Sequence, residues 1–152
     1  MKHKKILFVC TGNTCRSPMA EAVLKEELKR KKIRWYSVRS AGLNASKTGG
    51  LNEKSKQALL ECGIAYSETF VPRQLTEKMI KEAYAVVCMT EDQKARLSAY
   101  ENVMSMYYLT GFEIADPYGL DIDAYRVTLE MLKRAMPRLM AALSIGEEEE
   151  IN

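Results

Sequence analysis

An apolar run, Ile6-Leu7-Phe8-Val9, leads directly into Cys10-Thr11-Gly12-Asn13-Thr14-Cys15-Arg16-Ser17, and Pro18 then opens a stretch with helical spacing. That string admits one local order: a buried strand, a tight loop, and a helix whose first turn accepts proline. A loop entering a helix N-terminus presents unpaired backbone N–H groups and the positive end of the helix dipole, so it favours an oxyanion. A cysteine at the start of such a loop is expected to be partly ionised, because a thiolate gains there what a bound anion gains. Arg16 lies six positions beyond Cys10 and adds a planar fork for two oxygens.

A nucleophile and an oxyanion cradle in one loop equip a chain for cysteine-dependent phosphate removal. Cys10 is read as attacking phosphorus in line to form a phosphocysteine. Arg16 and the loop residues Thr11, Gly12, Asn13, Thr14, Cys15 and Ser17 are read as the phosphate-binding set, holding the equatorial oxygens. Gly12 is expected to supply backbone angles that bring N–H groups close to the ligand. Asn13 tolerates a left-handed conformation and suits a loop curved inward. Ser17 is a candidate donor to the sulfur. The chemistry calls for no metal and no cofactor. Against this stands the ordinary use of a cysteine at a strand end as a small apolar packing residue. A Cys-x5-Arg spacing alone recurs by chance; the longer string in a strand-to-helix setting carries the reading.

Asp116-Pro117-Tyr118-Gly119 supplies a second candidate. A departing alkoxide, phenoxide or guanidine needs a proton, and a carboxylic acid beside the leaving atom can give it. Pro117 restricts Asp116 to extended backbone, which would aim its side chain. The same four residues also read as a common turn.

Along the chain, Lys4 to Val9 reads as a central strand and Pro18 to Lys31 as a helix. Trp35 to Arg39 reads as a second strand, Leu43 to Leu51 as a loop, and Asn52 to Cys62 as a helix stopped by Gly63. Thr76 caps a short helix toward Ala83, Ala85 to Met89 is a third strand, and Thr90 starts another helix. Val103 to Tyr108 is expected to be a fourth strand, followed by a loop over Leu109 to Ile122. Tyr125, Leu129, Leu132, Met136, Leu139 and Leu143 mark a last helix, in which Pro137 is expected to introduce a kink. Strands alternating with helices predict a parallel, doubly wound α/β sandwich with ligands beyond the carboxyl ends of the strands. Residues 1–146 are expected to form a single domain, with 147–152 a disordered acidic tail.

Four motifs in this order resemble the low-molecular-weight protein tyrosine phosphatase family over nearly the whole chain: the Cys10–Pro18 loop, Ser40-Ala41-Gly42, Arg73-Gln74-Leu75-Thr76, and Asp116-Pro117-Tyr118-Gly119. The resemblance implies a three-layer α/β sandwich with a central four-stranded parallel sheet flanked by helices, a flavodoxin-like phosphatase I fold. It also implies Cys10 as nucleophile, Arg16 as clamp and Asp116 as general acid, with Asn13, Ser17, Ser40 and Tyr118 in support. Many relatives carry a histidine shortly before the Arg-Gln pair; Phe70 stands there in this chain, which leaves the support of Asn13 open. His3 is the only histidine, so a Cys-His nucleophilic scheme is excluded. The resemblance further supports a reversible disulfide between Cys10 and Cys15 under oxidation.

Thr14 bears on the substrate. Most tyrosine phosphatases of this family carry a bulkier aliphatic residue there, whereas the branch acting on protein arginine carries threonine. A hydroxyl and added space suit a polar guanidinium or an attacking water. A single Tyr118 followed by Gly119 is similar to that branch as well. The sequence therefore reads as a phosphoarginine phosphatase, with phosphotyrosine hydrolysis as the alternative. A remote alternative, arsenate reduction, needs two further cysteines close together late in the chain. Cys62 and Cys88 do not provide them. A non-catalytic phosphate-binding module would not need Cys10 and Asp116.

Four cysteines in 152 residues, with no signal peptide and no transmembrane run, read as reduced cytoplasmic thiols. Cys62 and Cys88 are expected to be buried packing residues. Four of the 20 acidic residues are Glu147 to Glu150, so the remaining chain is more basic than the overall charge of +3 indicates. A basic body suits phosphorylated proteins as partners. No basic stripe with interleaved aromatics points to nucleic acid, no segment points to a membrane, and a monomer is expected.

Overall fold

The computed structural model describes residues 3–147. Ten elements follow in order: β1 (Lys4–Cys10), α1 (Arg16–Arg30), β2 (Tyr36–Gly42), α2 (Glu53–Glu61), α3 (Glu77–Glu82), β3 (Ala85–Cys88), α4 (Glu91–Ala95), β4 (Val103–Ser105), α5 (Met106–Thr110) and α6 (Ile122–Ala142). The four strands form one parallel sheet in the order β2-β1-β3-β4. The expected acidic tail lies outside the described residues, except for Glu147, whose N–H donates to Ser144.

The two-residue period of β1 sorts its side chains onto two cores. Ile6 and Phe8 join the larger core with Met19, Leu24, Met106, Tyr125 and Leu132 beneath α1, α5 and α6. Leu7 and Val9 join the smaller one with Ile80, Val86 and Cys88 under α3. Both faces of β1 are thus covered, which explains its unbroken apolar run. Burial of a side chain such as Phe8 contributes about 1.5–3 kcal/mol.

Chain order reverses between β1 and β3, so the loops after these two strands part and leave a crevice at the carboxyl edge. One side chain spans it: Gln93 of α4, after β3, reaches Thr11 of the loop after β1. The second strand runs to Gly42, past the expected end at Arg39. The fourth strand ends at Ser105, whose side chain accepts from Tyr108 N and caps α5 where further strand was expected. Helix α6 contains Pro137, as its spacing predicts, and proline has no N–H to give the preceding turn.

Candidate active site

The segment after β2 is zipped against the loop that follows β1. Leu43 N–H donates to Cys10 O at 2.9 Å, Asn44 N–H to Thr11 O at 2.9 Å, Ser46 N–H to Gly12 O at 3.0 Å, and Asn52 N–H to Thr14 O at 3.0 Å. A trans peptide points its N–H opposite to its C=O. Holding those four carbonyls outward therefore turns the N–H groups of Thr11, Gly12, Asn13 and Cys15 the other way. Among the described residues, none of these four amides donates to a protein acceptor. A row of free amides at the start of a 15-residue helix is a nest for an oxyanion.

Side chains fix the sulfur within this nest. Cys10 Sγ lies 2.9 Å from Ser17 Oγ. Asn13 Nδ2 donates to that same hydroxyl oxygen at 2.8 Å, leaving the hydroxyl hydrogen for the sulfur. Asn13 Oδ1 accepts from Arg73 N–H at 2.8 Å. Both ends of the buried Asn13 amide are therefore satisfied although Phe70 stands where a histidine was sought; a backbone N–H does that work. Asn13 has φ 58°, the left-handed conformation expected of it.

Arg16 is buried at 5% exposure at the start of α1. Its Nη1 donates to Ile114 O at 3.1 Å, and its Nη2 lies 3.5 Å from Asp116 Oδ2. The other carboxylate oxygen of Asp116 accepts from Tyr118 N–H at 3.1 Å, so the turn made by Asp116-Pro117-Tyr118 aims the carboxylate. Cys10, Thr11, Gly12, Thr14, Cys15 and Arg16 face Asp116 and Tyr118 across a cleft of about 290 Å³, with Asn44 and Ser46 on its rim. The structure thus brings Cys10, Arg16 and Asp116 together from two loops. The described residues contain no group of three His, Cys, Asp or Glu side chains able to hold a metal ion.

Several predicted residues stand differently. Gly12 does not carry a positive φ; the special backbone falls on Asn13. The glycine that the site cannot replace is Gly42, where an added Cβ would lie 2.6 Å from Thr11 O. Ser40 supports from further away: its hydroxyl donates to Glu21 Oε1 at 2.6 Å and its carbonyl accepts from Arg73 Nη1 at 3.1 Å. Cys15 is buried with its sulfur near Thr14 Oγ1 and Tyr125 OH, and burial pushes its thiol above the usual range. Cys88 is buried, and burial pushes it up to about 12. Cys62 is exposed rather than buried, because α2 ends at Glu61 and Cys62 is its C-cap.

Sequence reading missed three supports. Glu21 receives Ser40 and Lys25. Gln74 accepts from Ala45 N–H at 3.0 Å and donates to Leu43 O at 2.9 Å, bracing the zipped segment. Gln93 reaches Thr11. A Thr-x-x-Gln pattern at 90–93 signals a capping box, but nothing in the sequence ties it to Thr11.

Residues 5–149 match the family described as Low molecular weight phosphotyrosine protein phosphatase. A protein-arginine-phosphatase of Bacillus subtilis is 37% identical over 146 residues, covering 91% of this chain and 95% of its own. A probable low molecular weight protein-tyrosine-phosphatase, EpsP, of Ralstonia nicotianae is 33% identical over 147 residues, covering 91% and 97%. A solved structure of YwlE arginine phosphatase, a Cys-to-Ser mutant with a phosphorylated active-site serine, superposes with a TM-score of 0.83 at 36% identity, covering 92% of this chain and 95% of that one.

Proposed function

Because the chain belongs to the low molecular weight phosphotyrosine protein phosphatase family and is a phosphoprotein phosphatase, we propose that it works with Cys10 as nucleophile, Arg16 as phosphate clamp and Asp116 as general acid, and that its substrate is phosphoarginine in proteins. The observation that carries the catalytic assignment is the cradle: four amides with no protein acceptor, a sulfur 2.9 Å from a hydroxyl, and a guanidinium 3.5 Å from a carboxylate.

In the first step the Cys10 thiolate forms a bond to phosphorus while the P–N bond breaks. The equatorial oxygens rest on the free amides and Arg16, which stabilise their charge through the transition state. Protonated Asp116 gives its proton to the departing guanidine nitrogen. In the second step water attacks phosphorus, the Asp116 carboxylate takes a proton from that water, and the S–P bond breaks. Inorganic phosphate leaves and the thiolate returns. Ser17, held by Asn13, donates to the sulfur and stabilises the charge it carries as the S–P bond breaks.

Support for phosphoarginine comes from Thr14, which lines the cleft, and from relatives named protein-arginine-phosphatase. A nucleophilic thiol works where thiols stay reduced, which points to the cytoplasm as the working compartment. No described helix is long and apolar enough to cross a membrane. Residues 1–146 then act as one phosphatase domain, and one chain supplies every catalytic group, so a monomer suffices.

Turnover of phosphoarginine- and phosphotyrosine-containing proteins, compared before and after Thr14→Ile, tests the substrate. Wild type is expected to prefer phosphoarginine, and Thr14→Ile to move the ratio by about tenfold or more toward phosphotyrosine. A wild-type preference for phosphotyrosine that the substitution leaves unchanged rules the arginine assignment out. Asp116→Asn is expected to slow turnover by about 10²–10⁴, most for the poorest leaving group. An equal loss across leaving groups removes Asp116 from the acid role.

A further inference from the structure

At the corner where β3 meets α4, Gln93 Oε1 accepts from Met89 N–H at 3.0 Å and from Thr90 N–H at 3.1 Å. Gln93 N–H in turn donates to Thr90 Oγ1, completing a capping box. Two N–H donors at Oε1 fix which way the side-chain amide faces. Its NH2 group must point away from the cap, and there Nε2 donates to Thr11 Oγ1 at 3.3 Å, across 82 residues of sequence. A capping box needs only the acceptor, and glutamate would serve it equally. The NH2 group is surplus to the cap, and its hydrogen bond goes to the nucleophile loop.

That bond has a consequence for Thr11. A hydroxyl that accepts from Gln93 directs its own hydrogen away from Gln93. Thr11 is exposed and lines the cleft beside Cys10 and Arg16. The acceptors that substrate brings into this cleft are phosphoryl oxygens. We propose that Gln93 is a positioning residue that sets the Thr11 hydroxyl as a donor to an oxygen of the bound phosphoryl group. The same corner also steadies the clamp: Met89 O accepts from Ile114 N–H at 3.1 Å, and Ile114 O accepts from Arg16. The contact concerns phosphoryl oxygens, which phosphoarginine and phosphotyrosine share, so it stands apart from the choice between those substrates.

The test measures affinity for inorganic phosphate by calorimetry and by competition against p-nitrophenyl phosphate, together with Tm. Thr11→Val is expected to weaken phosphate binding by about 10–150-fold, the loss of one hydrogen bond to a charged group, and Thr11→Ser to stay within about twofold of wild type. Gln93→Glu keeps the cap acceptor, so Tm should change by no more than about 2 °C. The new carboxylate draws the Thr11 hydrogen to itself and also repels phosphate. Repulsion acts whether or not the hydroxyl is present; the loss of the donor acts only when it is. Gln93→Glu is therefore expected to cost about threefold more affinity in the wild-type background than in the Thr11→Val background. If Gln93→Glu melts early, Gln93→Met is compared in the same two backgrounds. The proposal is overturned if Thr11→Val binds phosphate within twofold of wild type, or if substitution at Gln93 costs the same in both backgrounds.

Discussion

Two cysteines end neighbouring parallel strands of this sheet. Val9 is in register with Cys88, and Cys10 follows one residue later. Both are buried, Cys10 at 3% and Cys88 at 0% exposure. Their surroundings diverge in the residues that come next. After Cys88, the amides of Met89 and Thr90 are consumed by Val9 O and Gln93 Oε1. After Cys10, the carbonyls are consumed and the amides are left free. Cys88 packs with Leu7, Val9 and Val86, and burial, the largest cause, with the neighbouring Cys10 and Glu91 adding to it, pushes its thiol up to about 12. Position at a strand end does not make a cysteine a nucleophile. On the proposed assignment, the backbone groups that the following loop leaves unspent decide it.

The largest effect should come from exchanging the two thiols' roles in turn. Cys10→Ser is expected to lower turnover of p-nitrophenyl phosphate by about 10⁴ or more, a hydroxyl being a far weaker nucleophile. Cys88→Ala should leave kcat within about threefold and cost about 1 kcal/mol of stability for the small cavity. A loss of activity in Cys88→Ala comparable to that in Cys10→Ser would break the contrast. Next in size is Gly42→Ala. Its Cβ would lie 2.6 Å from Thr11 O and 3.1 Å from Asn13 Cβ, so the zipped segment must move. Destabilisation of about 1–3 kcal/mol is expected from overpacking, measured by urea unfolding, with a parallel loss of phosphate affinity. Unchanged affinity would show that the outward hold on the carbonyls is unnecessary.

The smallest effect is in alkali. The Cys88 thiol is raised in the folded state from an ordinary value of 9.0 to about 12. Above pH 9 the unfolded chain gives up this proton while the folded one keeps it, so its contribution is whole below pH 9 and is lost as pH climbs toward 12. The decline can reach about 1.4 kcal/mol per pH unit from this group. Urea unfolding between pH 8.5 and 10.5 should show a shallower decline in Cys88→Ala than in wild type. Equal slopes would mean that Cys88 is not desolvated as the packing shows.

The loop around Cys10 was legible because its constraints are local. Asn13 sits where a left-handed residue is required, and Pro18 sits in the first helical turn. The sheet was legible because β1 is covered on both faces. What escaped is long-range. Arg73 N–H relieves Asn13 of the histidine that Phe70 replaces, and a backbone donor leaves no trace in residue identity. Gln93 reads as a cap, yet its second use depends on the packing of β3 beside β1. Gly12 drew attention as the loop glycine, although the crowding is at Gly42, where two chain segments meet. The strand expected over Val103 to Tyr108 is cut short because the Ser105 side chain caps α5. Cys62 is exposed against expectation because the last turn of α2 closes at Glu61, and helical periodicity says little beyond that point.

In the free enzyme Arg16 already has a companion, the Asp116 carboxylate 3.5 Å away. An arriving dianion must share the guanidinium with that charge or displace it. The seat is thus already taken in the empty enzyme, and whatever the two anions cost each other at Arg16 is subtracted from the grip on phosphate.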